Sequence, residues 1–129
     1  ERGHERILFV DDEKDIVDVG KRILEQLGYR VTTVTSSVEA LEIFQKDPYE
    51  YDLIITDMTM PFMTGDELAV KIILTRHDIP IIVCTGYSEK LTEEKAFNLG
   101  IKAYLGKPLL KSEIAKTVRT VLDQQREDD

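Results

Sequence analysis

The sequence predicts an α/β fold in which helices cover both faces of a parallel five-stranded sheet. Short apolar runs bounded by polar or turn residues are typical of strands that are buried on both faces. Segments with the apolar spacing of amphipathic helices separate these runs, so strands and helices alternate along the chain. With 129 residues and 42% hydrophobic content, the chain has the size and composition of one domain. The four clearest apolar runs are residues 7–10, 53–56, 81–84 and 103–106.

The first half of the chain predicts two helices and an edge strand before the third strand is reached. Apolar residues recur on one helical face over about residues 14–27, and Gly28 is a typical helix stop. Residues 31–34 predict the second strand, and their polar threonines favour a position at the sheet edge. Ser36 and Glu39 have capping-box spacing, so we expect a second helix that ends before Pro48.

The second half continues the same alternation. Residues 61–65 predict a loop after the third strand, and a helix follows as far as the connection at residues 78–80. The segment 88–99 is expected to be a weakly amphipathic, lightly anchored helix. The last helix is expected to stop near Gln124. Five such strand–helix units fold into a parallel sheet with helices on both faces.

Charge and composition exclude several classes of function. A net charge of -8 and a pI near 4.8 argue against a nucleic-acid-binding surface. The single cysteine, Cys84, excludes an intramolecular disulfide and suits a reducing compartment. No apolar stretch approaches the roughly 18 residues of a membrane span, and residues 1–6 do not resemble a signal peptide. We therefore expect a cytoplasmic chain that itself contacts neither nucleic acid nor membrane.

Polar residues stand at the ends of four predicted strands. Asp11 and Asp12 follow the first strand and Asp57 the third, while Thr85 ends the fourth and Lys107 follows the fifth. In an open parallel sheet, functional groups gather beyond the carboxyl ends of the strands, so these side chains should meet in one crevice. Three carboxylates, one hydroxyl and one ammonium suit a divalent cation and a phosphoryl group.

These residues and their neighbours resemble the receiver domain of two-component response regulators. The resemblance covers about residues 7–122 in the family's order and spacing. It implies a flavodoxin-like (βα)5 three-layer sandwich with strand order 2-1-3-4-5. It also implies a linker at residues 1–6, a receiver domain at 7–124 and a tail at 125–129. The matching pieces are Ile-Leu-Phe-Val-Asp-Asp-Glu at 7–13, Asp57, Met60-Pro61 with Gly65, Thr85-Gly86 and Lys107-Pro108.

The resemblance assigns a phosphoacceptor and a magnesium site. Asp57 is implied to attack a phosphohistidine of a partner and to become an aspartyl phosphate. Asp12 is implied to bind Mg²⁺ directly and Asp11 to act through a bound water, and Asp57 and the backbone carbonyl of Thr59 are further ligands. A helix N-cap is the alternative role for Asp12 and does not exclude metal binding. Clustered carboxylates repel one another, which favours a cation on charge alone.

The resemblance also assigns the remaining polar groups. Lys107, followed by Pro108 after a cis bond, is implied to pair with the Asp57 carboxylate and then with the phosphoryl oxygens. Thr85 is implied to be the hydroxyl that reaches for the phosphoryl group, and Tyr104 the aromatic that turns inward behind it. Together these two residues would switch the conformation. A half-buried strand aromatic without this role is the alternative for Tyr104.

The implied function is a receiver in a phosphorelay that takes its phosphoryl group from a histidine kinase or a histidine phosphotransfer domain. Such a chain catalyses its own phosphorylation and dephosphorylation but is not a turnover enzyme alone. His4 and His77 lack the helix of a phosphotransfer site, so the donor is expected outside this chain. The lead-in at residues 3–10 is similar to that of receivers fused behind a histidine kinase core. A hybrid sensor kinase is therefore the expected parent, and a single-domain regulator is the alternative.

Two other functions are weighed against this one. The first is a receiver-shaped interaction module that no longer carries phosphate, and the intact set of polar site residues argues against it. The second is an aspartyl-nucleophile phosphatase of another α/β fold, a class with a second Asp two residues after the nucleophile. Thr59 occupies that position here. The oligomeric state is not predicted by the sequence.

The persistence of the phosphoryl group is expected to depend on the side chains that border the attacking water. That water must lie opposite the Asp57 oxygen, because attacking and leaving oxygens are roughly in line. In the family, the positions that border this path are those of Thr59 and Tyr87. Thr59 is small and neutral, and Tyr87 is bulky enough to shield the phosphoryl group, so we expect slow hydrolysis. The alternative is that Tyr87 points to solvent.

Overall fold

A computed structural model describes residues 2–86 and 99–128. Its strands are β1 (Arg6–Val10), β2 (Arg30–Val34), β3 (Leu53–Asp57), β4 (Ile81–Thr85) and β5 (Ala103–Gly106). The helices in these ranges are α1 (Lys14–Gln26), α2 (Ser37–Lys46), α3 (Gly65–Thr75) and α4 (Lys111–Asp128). All strands pair in parallel in the order β2-β1-β3-β4-β5. The predicted sheet and strand order are confirmed.

Alternating side chains of the central strands divide the hydrophobic core into two layers. In β1, Leu8 and Val10 face a core shared with α2 and α3, whereas Ile7 and Phe9 face a core shared with α1 and α4. All five residues of β3 are buried, as expected for a strand covered on both faces. The molecule is therefore a three-layer sandwich with its sheet in the middle.

Most helix ends lie close to their predicted positions. The helix α1 ends at Gln26, and Gly28 follows with a positive φ of 100°, which favours glycine. The side chain of Ser36 accepts the Glu39 N–H at 3.2 Å, as the capping pattern predicts. Within residues 2–86 and 99–128, no helix is long and apolar enough to cross a bilayer.

The expected end of the last helix near Gln124 is wrong, because α4 continues to Asp128. The residues after Gln124 include neither Gly nor Pro, so the chain has no local stop signal there. The Gln125 side chain also donates a hydrogen bond to the Asp78 carbonyl at 2.6 Å, which ties this part of the helix to the domain. The expected helix at 88–99, with Phe97, lies outside the described residues except for Leu99, which is in a turn.

The amino-terminal segment is tied to α4 by a buried ion pair. Glu5 is 9% exposed, and its carboxylate receives two hydrogen bonds from Arg119, of 2.7 Å from Nη2 and 3.2 Å from Nη1. Arg119 also donates to the Tyr29 hydroxyl at 3.3 Å and pairs with Asp123 at 2.9 Å. Burial raises the pKa of Glu5, but the Arg119 guanidinium and the His4 amide lower it to about 2.

We expect Glu5→Gln to lower the free energy of unfolding by roughly 2 to 3 kcal/mol at neutral pH. The folded-state pKa of Glu5 is depressed from 4.5 to about 2, so the pair stabilises the fold fully above pH 4.5. This contribution is lost as the pH falls from 4.5 towards 2. Urea unfolding at pH 7 and pH 3 should therefore show a smaller difference between the two proteins at pH 3.

The matched control is Asp18→Asn. Asp18 belongs to an exposed pair with Lys14 at 3.1 Å, whose side chains are 50% and 79% exposed. Exposed pairs contribute about 0 to 1 kcal/mol, so this variant should unfold almost like the wild type. A difference between Glu5→Gln and the wild type that stays constant from pH 7 to pH 3 would contradict the assigned pKa.

Candidate functional site

The carboxyl ends of β1 and β3 bring three aspartates together. Strands β1 and β3 are neighbours, with Val10 paired to Thr56, so the residues that follow each strand emerge side by side. The Asp11 N–H donates to the Val34 carbonyl of β2 at 3.2 Å, which continues the strand pairing past the end of β1. One carboxylate oxygen from each of Asp11, Asp12 and Asp57 lies within 4.8 Å of the others. The predicted acidic cluster is confirmed.

The three carboxylates differ in their environments. Asp11 and Asp57 are buried, with 1% and 3% exposure, whereas Asp12 is exposed. The Oδ1 atom of Asp11 accepts the Glu13 backbone N–H at 2.9 Å. Glu13 is the N-cap residue of α1, so Asp12 does not occupy the alternative N-cap position. Asp12 is therefore the most accessible carboxylate of the cluster.

Lys107 joins the two buried carboxylates. Its Nζ atom lies 2.6 Å from Asp57 Oδ1 and 3.3 Å from Asp11 Oδ2, and its side chain is 19% exposed. The pairing with Asp57 was expected from the resemblance, but the pairing with Asp11 was not. The Lys107–Pro108 bond is cis, as the resemblance implies.

Burial and charge act in opposite directions on the ionisable groups of the site. Burial raises the pKa of Asp11, although the Glu13 amide and the Lys107 ammonium lower it in part. Burial lowers the pKa of Lys107, but its hydrogen bond to Asp57 and its attraction to Asp11 outweigh burial and raise the pKa. Lys107 is therefore held as a cation, and the Asp11 carboxyl is harder to ionise than an exposed aspartate.

The donor set fits a hard divalent cation. Three carboxylates against one ammonium leave two formal negative charges in excess at the cluster. Mg²⁺ prefers oxygen ligands and commonly uses one or two carboxylates together with water. An exposed carboxylate beside two buried ones gives a cation access from solvent, and its charge would offset the repulsion among the three groups.

Of the other predicted site residues, Thr85 and Thr59 lie at or just after the carboxyl ends of β4 and β3, at the same edge of the sheet. Thr85, at the end of β4, is half-buried, and its carbonyl accepts the Lys107 N–H at 2.9 Å. Thr59 is exposed in the loop after β3. Tyr104 lies opposite Val83 in the β4–β5 pair and is 43% exposed, so it is turned outward in this structure rather than inward. Tyr87 lies outside the described residues.

The loop after β3 is folded tightly against the strand that carries Asp57. The Gly65 N–H donates to the Met58 carbonyl at 2.7 Å, which closes the loop. A Cβ atom at position 65 would overlap the Asp57 carbonyl oxygen, so the close approach requires glycine. The Thr64 hydroxyl and the Glu67 carboxylate form a capping box that begins α3. The loop therefore has a defined shape at the edge of the acidic site.

Comparison with known proteins gives a consistent family match. The model of the family described as response regulator receiver domain matches residues 7–119. Response regulator SaeR of Staphylococcus aureus is 32% identical over 120 residues, which cover 93% of this chain and 51% of SaeR. The chain thus spans about half the length of the curated relatives it matches.

Solved structures agree with the sequence match. The chain is similar to the CheY-like receiver domain protein of Methanospirillum hungatei, with a TM-score of 0.88 and 31% sequence identity. The match covers 98% of this chain and 100% of the other. It is also similar to the receiver domain of the sensor histidine kinase PA1611 of Pseudomonas aeruginosa, with a TM-score of 0.82, 26% identity, and coverage of 94% and 99%. That structure holds a magnesium ion coordinated in its active site cleft.

Proposed function

Because this chain belongs to the response regulator receiver domain family of two-component signalling, we propose that Asp57 accepts a phosphoryl group from a phosphohistidine. The donor is a histidine kinase or a histidine phosphotransfer domain. The observation that carries the proposal is the contact of the Lys107 ammonium with Asp57 at 2.6 Å inside a cluster of three carboxylates. A nucleophile, a fixed cation and a metal-binding donor set then lie at one sheet edge, as phosphoryl transfer requires.

In the proposed reaction, a carboxylate oxygen of Asp57 attacks the phosphorus of the phosphohistidine. The new O–P bond forms as the P–N bond breaks, and the electron pair of that bond returns to the imidazole nitrogen. The product is a mixed anhydride of Asp57, and no oxidant or other co-reactant is needed. Burial of Asp57 to 3% exposure limits water around the reacting carboxylate and strengthens the nearby charge interactions.

Lys107 is positioned to balance the charge of the transferred group. Its Nζ atom already contacts Asp57 Oδ1, so it would not need to be recruited during the reaction. Asp11 holds the same ammonium from the other side at 3.3 Å. Asp12, Asp11, Asp57 and the Thr59 carbonyl would hold Mg²⁺, which supplies positive charge to the phosphoryl oxygens when bound.

Thr85 and Tyr104 would report phosphorylation to the rest of the domain. Thr85 is linked to Lys107 through its own carbonyl, so movement of the lysine loop and of the end of β4 is coupled. Tyr104 is 43% exposed and would turn inward when the Thr85 hydroxyl moves towards the phosphoryl group. The outward Tyr104 then corresponds to the unphosphorylated conformation.

A receiver within a hybrid sensor kinase in the cytoplasm is the context we favour for this chain. The likeness to the receiver of a sensor histidine kinase supports the first part. The single cysteine of the chain, Cys84, is buried, which supports a reducing compartment. A single-domain regulator is the competing context, and the full-length reading frame distinguishes the two.

Phosphorylation by a small donor tests the proposal. Incubation with acetyl phosphate and Mg²⁺ is expected to add one phosphoryl group, which intact-mass analysis detects and which hydroxylamine removes because an acyl phosphate is a reactive anhydride. Incubation without Mg²⁺ is the control and should give little product. A chain that remains unmodified with Mg²⁺ present would support the alternative of a receiver-like interaction module that carries no phosphate.

The two leading aspartates are expected to differ in their contribution to Mg²⁺ binding. Both oxygens of Asp11 already face donors, namely the Glu13 N–H at 2.9 Å and Lys107 Nζ at 3.3 Å, whereas Asp12 is exposed. We therefore expect Asp12→Ala to weaken Mg²⁺ binding more than Asp11→Ala, whose loss should be about 10- to 100-fold, as for an indirect ligand. Calorimetric titration of each variant measures the difference.

A third variant, Asp18→Ala, separates ligand loss from a change in total charge. It removes one negative charge from an exposed position on α1 that is not part of the cluster, and it should leave Mg²⁺ affinity nearly unchanged. Equal losses in Asp11→Ala and Asp12→Ala would show that the direct and indirect roles are wrongly assigned.

A further inference from the structure

The loop between β3 and α3 carries an aromatic side chain that is almost fully exposed to solvent. Phe62 is 99% exposed, the largest exposed fraction among the large hydrophobic residues in the described part of the chain. Its φ is +69°, a left-handed conformation that is unfavourable for a bulky side chain. Packing against the described residues therefore explains neither the choice of phenylalanine nor its conformation. A site at which a protein retains both exposure and strain is a candidate for function.

The surrounding loop holds Phe62 in this outward position. The Met63 N–H donates to the Pro61 carbonyl at 2.8 Å, and the Ser37 hydroxyl of α2 donates to the same carbonyl at 3.5 Å. The Gly65 N–H closes the loop on Met58, as described above. The aromatic ring is therefore presented on a backbone that is hydrogen-bonded on both sides of it. Little conformational freedom of this backbone would be lost when a partner covers it.

The position of the loop indicates which partner would cover it. The loop begins at the end of the strand that carries Asp57 and stands at the carboxyl edge of the sheet. Asp57 is 3% exposed at the base of this edge. A protein that delivers a phosphoryl group to it must therefore cover the loops and helix ends that surround Asp57 at the carboxyl edge of the sheet, which we call the rim. A small phosphodonor needs no such cover.

The rim also has apolar surface near Lys107. A groove of about 280 Å³ lies there, lined by residues that include Ile16, Val19 and Pro108. Val19 is 43% exposed. Apolar groups exposed around a reaction centre are typical of a surface that another protein covers. Exposed aromatic residues in such surfaces often contribute a large share of the binding energy.

From these observations we infer that Phe62 is a docking residue for the protein that carries the phosphohistidine. This inference rests on the proposed phosphoacceptor function of Asp57. Phe62 contacts the donor protein and not the reacting atoms, so its removal weakens the encounter and leaves the chemistry of transfer to Asp57 intact. The ring supplies apolar contact area from a preformed position.

The test compares two phosphodonors on the same variants. The protein donor is a radiolabelled, autophosphorylated histidine kinase core chosen because it phosphorylates the wild-type chain, and the small donor is acetyl phosphate. We expect Phe62→Asn, which tolerates the left-handed backbone, to slow transfer from the protein donor by about tenfold or more at subsaturating concentration. Its rate with acetyl phosphate should stay within about twofold of the wild type. Phe62→Tyr keeps the ring and should restore transfer.

Leu74→Ala is the matched control for the loss of an exposed apolar side chain. Leu74 is 81% exposed and lies in the last turn of α3, at the opposite edge of the sheet. The Leu74→Ala substitution should leave phosphoryl transfer from both donors unchanged. Phe62→Asn should also unfold at a urea concentration no lower than the wild type, because asparagine suits the left-handed conformation better than phenylalanine.

The possible results separate this inference from the function on which it rests. Failure of acetyl phosphate to modify Asp57 in the wild type would overturn the phosphoacceptor function itself. Equal transfer from the protein donor to wild type and Phe62→Asn would overturn the docking role alone. Equal slowing with both donors would mean that Phe62 shapes the reaction site and would also overturn docking. Conversion of a wild-type dimer to a monomer by Phe62→Asn would assign the ring to contact between two copies instead.

Discussion

Replacement of Asp57 by Asn is expected to abolish phosphorylation of the chain by acetyl phosphate. An amide oxygen is a poor nucleophile and cannot form the mixed anhydride that the carboxylate forms, so no slower version of the same reaction remains. Asp57 also pairs with Lys107 at 2.6 Å and is 3% exposed, which makes it the carboxylate most directly placed for charge-balanced transfer. Intact-mass analysis after incubation with Mg²⁺ should show the unmodified mass alone.

The matched control is Asp52→Asn, the same substitution just before the amino end of the same strand. Asp52 accepts a hydrogen bond from the Arg6 backbone at 2.9 Å and lies at the edge opposite the acidic cluster. Its variant should be phosphorylated as the wild type is. Full modification of Asp57→Asn at Asp11 or Asp12 would show that the phosphoacceptor has been wrongly assigned within the cluster.

Replacement of Lys107 by Met is expected to have opposite effects on stability and on Mg²⁺ binding. The substitution leaves Asp11 and Asp57 buried without the ammonium that joins them, and loss of one partner of a buried ion pair costs about 3 to 5 kcal/mol. The formal charge of the cluster changes from -2 to -3, since three carboxylates remain and the one ammonium is removed. Mg²⁺ should therefore bind more tightly to the variant, and added Mg²⁺ should recover part of its stability.

The reaction rate and the pH dependence give further readouts for Lys107. Loss of one charge-stabilising donor should slow phosphorylation by acetyl phosphate by about 100-fold or more, even with Mg²⁺ saturating. The pKa of Lys107 is raised above its ordinary 10.5, so its stabilising contribution is fully present below pH 10.5 and is lost as the pH rises through the folded-state pKa. The stability difference between wild type and variant should thus be constant near neutral pH and shrink at strongly alkaline pH.

Lys116→Met provides the control for removal of a surface lysine. Lys116 is exposed on α4, and its variant should match the wild type in stability, Mg²⁺ affinity and phosphorylation rate. Weaker Mg²⁺ binding by Lys107→Met would contradict the charge argument, because it would mean that the lysine supports the cation site rather than competes with it.

Local sequence patterns were sufficient for most of the fold and for the membership of the acidic cluster. Each apolar run is long enough to form a strand and ends at a polar or turn residue. Both the strand and the position of its carboxyl end can therefore be inferred from neighbouring residues. The spacing of Ser36 and Glu39 predicted the start of α2 in the same way. The end of α4 was predicted wrongly, near Gln124 instead of Asp128, because the bond from Gln125 to Asp78 joins distant residues.

The amino-acid sequence by itself determined which groups meet at the site. The pair Asp11-Asp12, Asp57 and Lys107 each stand at the end of a mostly apolar run, and parallel strands place their carboxyl ends at one edge. Only the tertiary structure decided how these groups are arranged. It shares Lys107 between Asp11 and Asp57, exposes Asp12, and turns Tyr104 outward. The physical reason is that strand patterns depend on adjacent residues, whereas burial and ion pairing depend on distances between side chains that are far apart in the chain.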